Sequence, residues 1–138
     1  MFKKVLWVFV GFFSLPVLAK DLNLMSEAGQ MGTLYSLASL CGENAQKLKD
    51  YELIASRIMA TRADTLEEEN AVKKEYLWQK LKSFQKYNNA SLSDCDQILH
   101  QFRRMPLFQS VVYSDGGIKM YDGTYFPSKR PFKKENFQ

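Results

Sequence analysis

The chain has 138 residues, 46% of them hydrophobic and 14% aromatic, with 19 Lys and Arg against 15 Asp and Glu for a formal net charge of +4. That length fits one ordinary domain, and the +2 balance left once residues 1–19 are set aside argues against a dedicated nucleic-acid binder. Two cysteines and a single histidine exclude a four-ligand zinc site unless distant carboxylates join it.

The N-terminus reads "MFKKVLWVFVGFFSLPVLAKD". Lys3 and Lys4 form a basic start, Val5 to Leu18 an apolar run of about 14 residues, and Val17 and Ala19 the small residues that precede a cleavage site. A membrane span needs roughly 20 apolar residues. The layout therefore predicts a secretory signal peptide cleaved after Ala19 rather than an uncleaved anchor. Lys20 follows the cut, where lipid attachment would need a cysteine. Without residues 1–19 the chain keeps 17 basic and 15 acidic residues, a charge of +2.

Four helices follow by pattern. Met31, Leu34, Leu37, Ala38 and Cys41 recur at helical steps and predict a helix from Ser26 to Cys41, stopped by Gly42. Leu48, Tyr51, Ile54, Ala55 and Ile58 predict a second over Asn44–Thr61. "TLEE", with Thr65 and Glu68 as a capping box, opens a third that carries Leu77, Leu81, Phe84 and Tyr87 to Asn88–Asn89. On that helix Leu77, Leu81 and Phe84 are expected to face the core, with Trp78 at its edge or outside. "SLSD", a second box of Ser91 and Asp94, opens the fourth, whose stripe of Cys95, Ile98, Leu99 and Phe102 ends at Pro106.

Cys41 and Cys95 fall on the apolar stripes of the first and fourth helices. In the oxidising compartment that the signal implies, a structural disulfide is the simplest use of the pair. A catalytic dithiol would favour C-x-x-C spacing rather than 54 positions. The bond would clamp the start of the bundle to its end.

Beyond Pro106, "SDGG" and "YDGT" mark turns. Val111–Tyr113 and Ile118–Tyr121 are expected to form a hairpin around Asp115–Gly116. From Pro127 onward Lys129, Arg130, Lys133 and Lys134 outweigh Glu135, with Phe126, Phe132 and Phe137 interleaved. Two readings stand for this tail. It binds an anionic membrane surface, a cell-wall polymer or an acidic groove of a protein, or it is a solubilising terminus. The expected organisation is a signal peptide over 1–19, a helical domain over 20–106 and a C-terminal extension over 107–138.

Chemistry is sparse. His100 has no serine or cysteine placed by motif as its nucleophile. Glu67, Glu68 and Glu69 point about 100° apart on a helix and suit a solvated N-terminus better than a metal site. Asn89–Ser91 matches a glycosylation sequon, although Ser91 reads as a helix cap. Trp78 is either a core-edge side chain or an exposed anchor for a partner.

"GQMGTLYSLASLCG", the later Phe84-x-x-Tyr87-Asn88 and a second cysteine near the fourth helix resemble a family of small exported bacterial proteins with one cysteine pair and no assigned function. Gly32, Leu34, Leu37, Leu40, Cys41 and Gly42 fit its Leu–Gly–x–Leu–x–x–Leu–x–x–Leu–Cys–Gly pattern. Met31 replaces the leucine, and Phe84 and Tyr87 sit farther from Cys95 than in that pattern. The likeness spans Gln30–Leu99 and implies a helical, disulfide-linked periplasmic domain with no catalytic residue.

The expected fold is all-α: a bundle of about four helices stapled by one disulfide, with a short irregular or hairpin C-terminal extension. The expected function is non-catalytic, with no cofactor and no metal. It is a periplasmic binding or assembly factor for an envelope protein or secretion apparatus, acting through Trp78, Lys129, Arg130, Phe132, Lys133 and Lys134. A periplasmic stress chaperone is the alternative, and a small envelope hydrolase is disfavoured by the lack of a nucleophile–base motif.

Overall fold

The computed structural model describes residues 20–88, 92 and 94–133. The expected signal sequence with its cut after Ala19, the Asn89–Ser91 sequon with the expected Ser91 cap, and Lys134 to Gln138 lie outside the described residues. Within them the chain forms α1 (Lys20–Leu40), α2 (Ala45–Arg62), α3 (Leu66–Tyr87) and α4 (Cys95–Arg103). A 3-10 turn (Pro106–Gln109) and strands β1 (Val111–Val112), β2 (Ile118–Lys119) and β3 (Tyr125–Phe126) complete it. The fold is a helical bundle with one disulfide and a small C-terminal sheet.

Local chemistry sets the helix ends. α1 stops in a Schellman arrangement around Gly42, with Gly42 N donating to Ser39 O and Glu43 N to Ala38 O, each at 3.0 Å. Asn44 caps α2 by accepting the Lys47 amide at 2.7 Å. Thr65 caps α3 by accepting the Glu68 amide at 3.0 Å, while Glu68 reaches back to the Asp64 amide at 3.4 Å. Asp94 occupies the N-cap of α4 without a side-chain cap bond.

The disulfide joins Cys41, just beyond α1, to Cys95, the first residue of α4, with Cα atoms 5.2 Å apart. Tyr51 and Phe102 are fully buried at the centre of the core, their rings 4.8 Å apart, and the Tyr51 hydroxyl donates to Met31 O at 2.8 Å. Burial pushes the Tyr51 hydroxyl far above its ordinary value, so it stays protonated.

α1 and α3 pack most tightly. A methyl on Gly32 would overlap the Tyr76 carbonyl and sit 3.0 Å from Lys80 N, so the two backbones nearly touch. Ala28, Gly32 and Ser36, spaced by four, line this contact with little or no exposure. The Ser36 hydroxyl donates to Lys80 O at 2.6 Å, and that of Ser83 to Thr33 Oγ1 at 3.3 Å. This contact corrects the expected inner face of α3. Glu69, Val72, Tyr76 and Ser83 turn inward, whereas Leu77 and Leu81 are 58% and 51% exposed. A leucine cannot enter a seam where one backbone lies against another; small or hydrogen-bonded side chains can.

The C-terminal extension is integral to this core. Leu107 and Ile118 belong to the main apolar cluster, with Val112, Met120 and Phe126 packed against it. The expected hairpin gains a third strand, forming an antiparallel meander of order β1-β2-β3. Val111 pairs with Lys119 and Lys119 with Tyr125. Its two turns are copies. Gly116 N donates to Tyr113 O and Gly123 N to Met120 O, each at 2.9 Å, with the glycines at φ +92° and +91°. Asp115 and Asp122 each accept the amide two residues on, at 2.9 and 3.0 Å. Only glycine takes that positive φ without strain. This Asp–Gly repetition, seven residues apart, is a short internal repeat that patterning over longer windows passes over.

Candidate interaction surfaces

The outer face of α3 gathers Leu77, Trp78 and Leu81, all at least half exposed. Spacings of three and four residues place the three side by side. Lys82 Nζ lies 5.8 Å from the Trp78 ring centroid, a cation–π distance, and Lys74 is also exposed. Trp78 therefore stands outside the core, as one of its two sequence readings required. The inner face of the same helix is held by polar pairs. Glu52 accepts bonds from the Tyr76 hydroxyl at 2.9 Å and Lys80 Nζ at 2.7 Å. Burial and the adjacent Glu52 raise the Tyr76 hydroxyl well above its ordinary value.

The tail does not stand free of the helices. Arg130 donates to Glu69 and, at 2.9 Å, to Ala60 O; Lys129 Nζ donates to Ala63 O at 3.0 Å and Asp64 Oδ1 at 3.2 Å. Ala60 O and Ala63 O are among the carbonyls left without helical partners at the end of α2, so both cations cap that helix from 66 to 70 residues away. Phe132 lies over the Arg57 guanidinium at 4.1 Å. Arg57, buried on α2, also donates to Gly116 O at 2.8 Å and Ser128 Oγ at 3.1 Å. Lys133 is exposed, and Lys134 lies outside the described residues. Of the tail residues singled out from sequence, Lys129, Arg130 and Phe132 are thus committed to holding this segment as a strap against the end of α2.

Glu69 corrects the picture of three solvated carboxylates. Burial works to raise its pKa, but the bonds from Lys73 and Arg130 outweigh that and hold it below the ordinary carboxylate value. Arg57 is lowered by burial. Sequence reading passed over Arg57 and took Glu69 as solvated because a buried charge looks like a surface charge until its partner, for Glu69 the Arg130 guanidinium 61 residues away, is known.

Between the end of α2 and the second meander turn runs an open groove of about 410 Å³. Leu24, Met120 and Phe126 supply apolar lining, and Asp64, Glu68 and Asp122 carboxylates stand on it. His100 is exposed, its Nε2 3.1 Å from Arg104 Nη1. No group of three or more His, Cys, Asp or Glu among the described residues is arranged to hold a metal ion, and no described helix is long and apolar enough to cross a membrane. The disulfide fits an oxidising compartment.

No protein-family model, no curated relative and no solved structure matches this chain.

Proposed function

We propose that the chain is exported, loses residues 1–19, and works in the periplasm as a non-catalytic binding or assembly factor that docks an envelope protein through the outer face of α3. The observation that carries this reading is the inversion of α3. Glu69, Lys80 and Ser83 face its neighbours through hydrogen bonds, while Leu77, Trp78 and Leu81 face outward. Single exposed leucines are ordinary, but an adjacent Leu–Trp–Leu cluster is a contiguous apolar patch centred on tryptophan, the side chain that most often anchors a partner. The lysines suit a partner with acidic side chains around an apolar groove, and exposed Lys133 adds a weaker attraction to anionic surfaces.

The test places a photoreactive phenylalanine analogue at position 78 in the exported chain and irradiates cells. One discrete adduct, lost when Leu77 and Leu81 are both changed to serine, supports the reading. A broad ladder that grows under acid or heat favours a stress chaperone, and the absence of any adduct sinks the α3 surface.

A further inference from the structure

We propose that the outward face of the C-terminal meander binds an acidic polysaccharide, a glycan whose sugars carry carboxylate groups. The pairing register places Val111, Lys119 and Tyr125 in one row across the three strands. That row spans about 10 Å, two interstrand spacings. The opposite row of Val112, Ile118 and Phe126 packs on the core. Tyr113 joins the outward face at the end of β1, its ring 5.8 Å from that of Tyr125 and edge-on to it. Val111, Tyr113 and Tyr125 are each 42–49% exposed, and Lys119 is exposed beside them.

This face is built and held. A Cβ on Gly117 would come within 2.5 Å of the Tyr125 hydroxyl and 3.1 Å of its ring, so the missing side chain lets that ring lie on the backbone and reach Tyr113. Ile118 is wholly buried beneath, both turns are locked by their aspartates, and Arg57 holds Gly116 O from below. A rigid platform binds without an ordering cost.

The chemistry selects the ligand. Tyrosine faces carry a negative quadrupole and accept the C–H face of a sugar ring, while the phenol hydroxyls meet its hydroxyl groups. An open row of exposed side chains rather than a concave pocket suits an extended polymer better than a compact small molecule. The Lys119 ammonium makes no hydrogen bond or ion pair with any described residue, and as a cation among tyrosines it matches a carboxylate borne by the sugar. Asp115 and Asp122 sit in the turns beside the platform, and the Thr124 amide holds Asp122 below its ordinary pKa. Those two charges oppose a densely phosphorylated strand or an anionic bilayer, whereas a polymer with spaced carboxylates can avoid them. The inference stands apart from the α3 reading, because it uses none of the same residues.

The test is titration calorimetry of the full exported, disulfide-intact chain with polygalacturonate, with amylose as the neutral glycan and single-stranded DNA as the phosphate polymer. Binding to polygalacturonate should weaken about tenfold in Tyr113→Ala and at least as much in Lys119→Glu, with melting temperature unchanged. Lys119 is exposed and its ammonium has no hydrogen bond or ion pair to lose among the described residues, so that variant folds and decides the matter even where Tyr113→Ala melts early. Lack of binding to polygalacturonate, equal binding to amylose, tighter binding to DNA, or full affinity in Lys119→Glu would each overturn the proposal.

Discussion

Arg103 grips Glu43 with two N–H···O bonds, Nε to Oε2 at 2.8 Å and Nη2 to Oε1 at 3.1 Å, across the same junction of α1 and α4 that the disulfide closes. The Glu43 side chain is fully shielded from solvent, and its Oε1 also accepts the Asn44 amide at 2.9 Å. The junction is thus tied twice, once covalently and once by charge.

That pair makes stability depend on acid. The bond from Arg103, against the opposing effect of burial, holds the Glu43 carboxyl below its ordinary value of 4.5, and Glu69 is held low as well. Groups depressed in the folded state stabilise it above their unfolded pKa and lose that contribution as pH falls through the folded one. The urea midpoint should therefore be flat from about pH 7 to about pH 5 and fall below about pH 4.5. Glu43→Gln should lower the neutral plateau and flatten the acid limb; a limb of unchanged slope would remove Glu43 as its source.

The disulfide closes a separation of 54 residues, which in the chain-entropy model contributes on the order of 4 kcal/mol. Replacing both cysteines with alanine avoids a stray thiol and should lower the melting temperature by tens of degrees or prevent folding. A melt within a few degrees of the parent would show that the noncovalent junction suffices.

Gly32→Ala should cost about 1–3 kcal/mol in urea unfolding, because its methyl meets the Tyr76 carbonyl rather than a flexible side-chain end. Gly29→Ala faces the Gln79 side chain at 3.2 Å and should cost less. Equal costs would show that the α1–α3 seam gives way easily.

Leu77→Ser and Leu81→Ser should each change stability by about 0.5 kcal/mol or less, since both side chains are largely in water. Val72→Ala, fully buried on the opposite face, should cost about 1–3 kcal/mol. Reversed costs would mean that α3 is turned the other way.

Arg130→Ala should cost about 1–3 kcal/mol, because it strips a cap from α2 and leaves the buried Glu69 with Lys73 alone. Lys133→Ala, at an exposed position, should be silent. If Arg130→Ala is silent too, the strap adds nothing to the fold.

The sequence made the bundle legible where partners are local. Gly42, Asn44 and Thr65 announce their helix ends through bonds spanning three to five residues, and the two cysteines had only each other. It misled on α3, where Leu77 and Leu81 repeat at a helical step as core leucines do. The deciding residue, Gly32, lies on another helix and acts by what it lacks. The strap was illegible for a related reason. Lys129 and Arg130 read as free cations because nothing local shows that α2 ends with open carbonyls 66 to 70 residues upstream. The third strand escaped notice because two-residue strands carry little alternation, although the repeated Asp–Gly pair was visible.

Capping α2 from the far end of the chain also orders events in time. A polypeptide is made from its N-terminus, so α2 is complete long before Lys129 and Arg130 leave the ribosome. Until they do, any chain in which α2 has formed has its terminal carbonyls open and Glu69 without its second cation. Any product that stops short of Lys129 keeps that defect for good. The strap thus acts as a check on length: only a chain that reaches Arg130 can close the end of α2 in this way, and shorter ones expose that end to proteolysis.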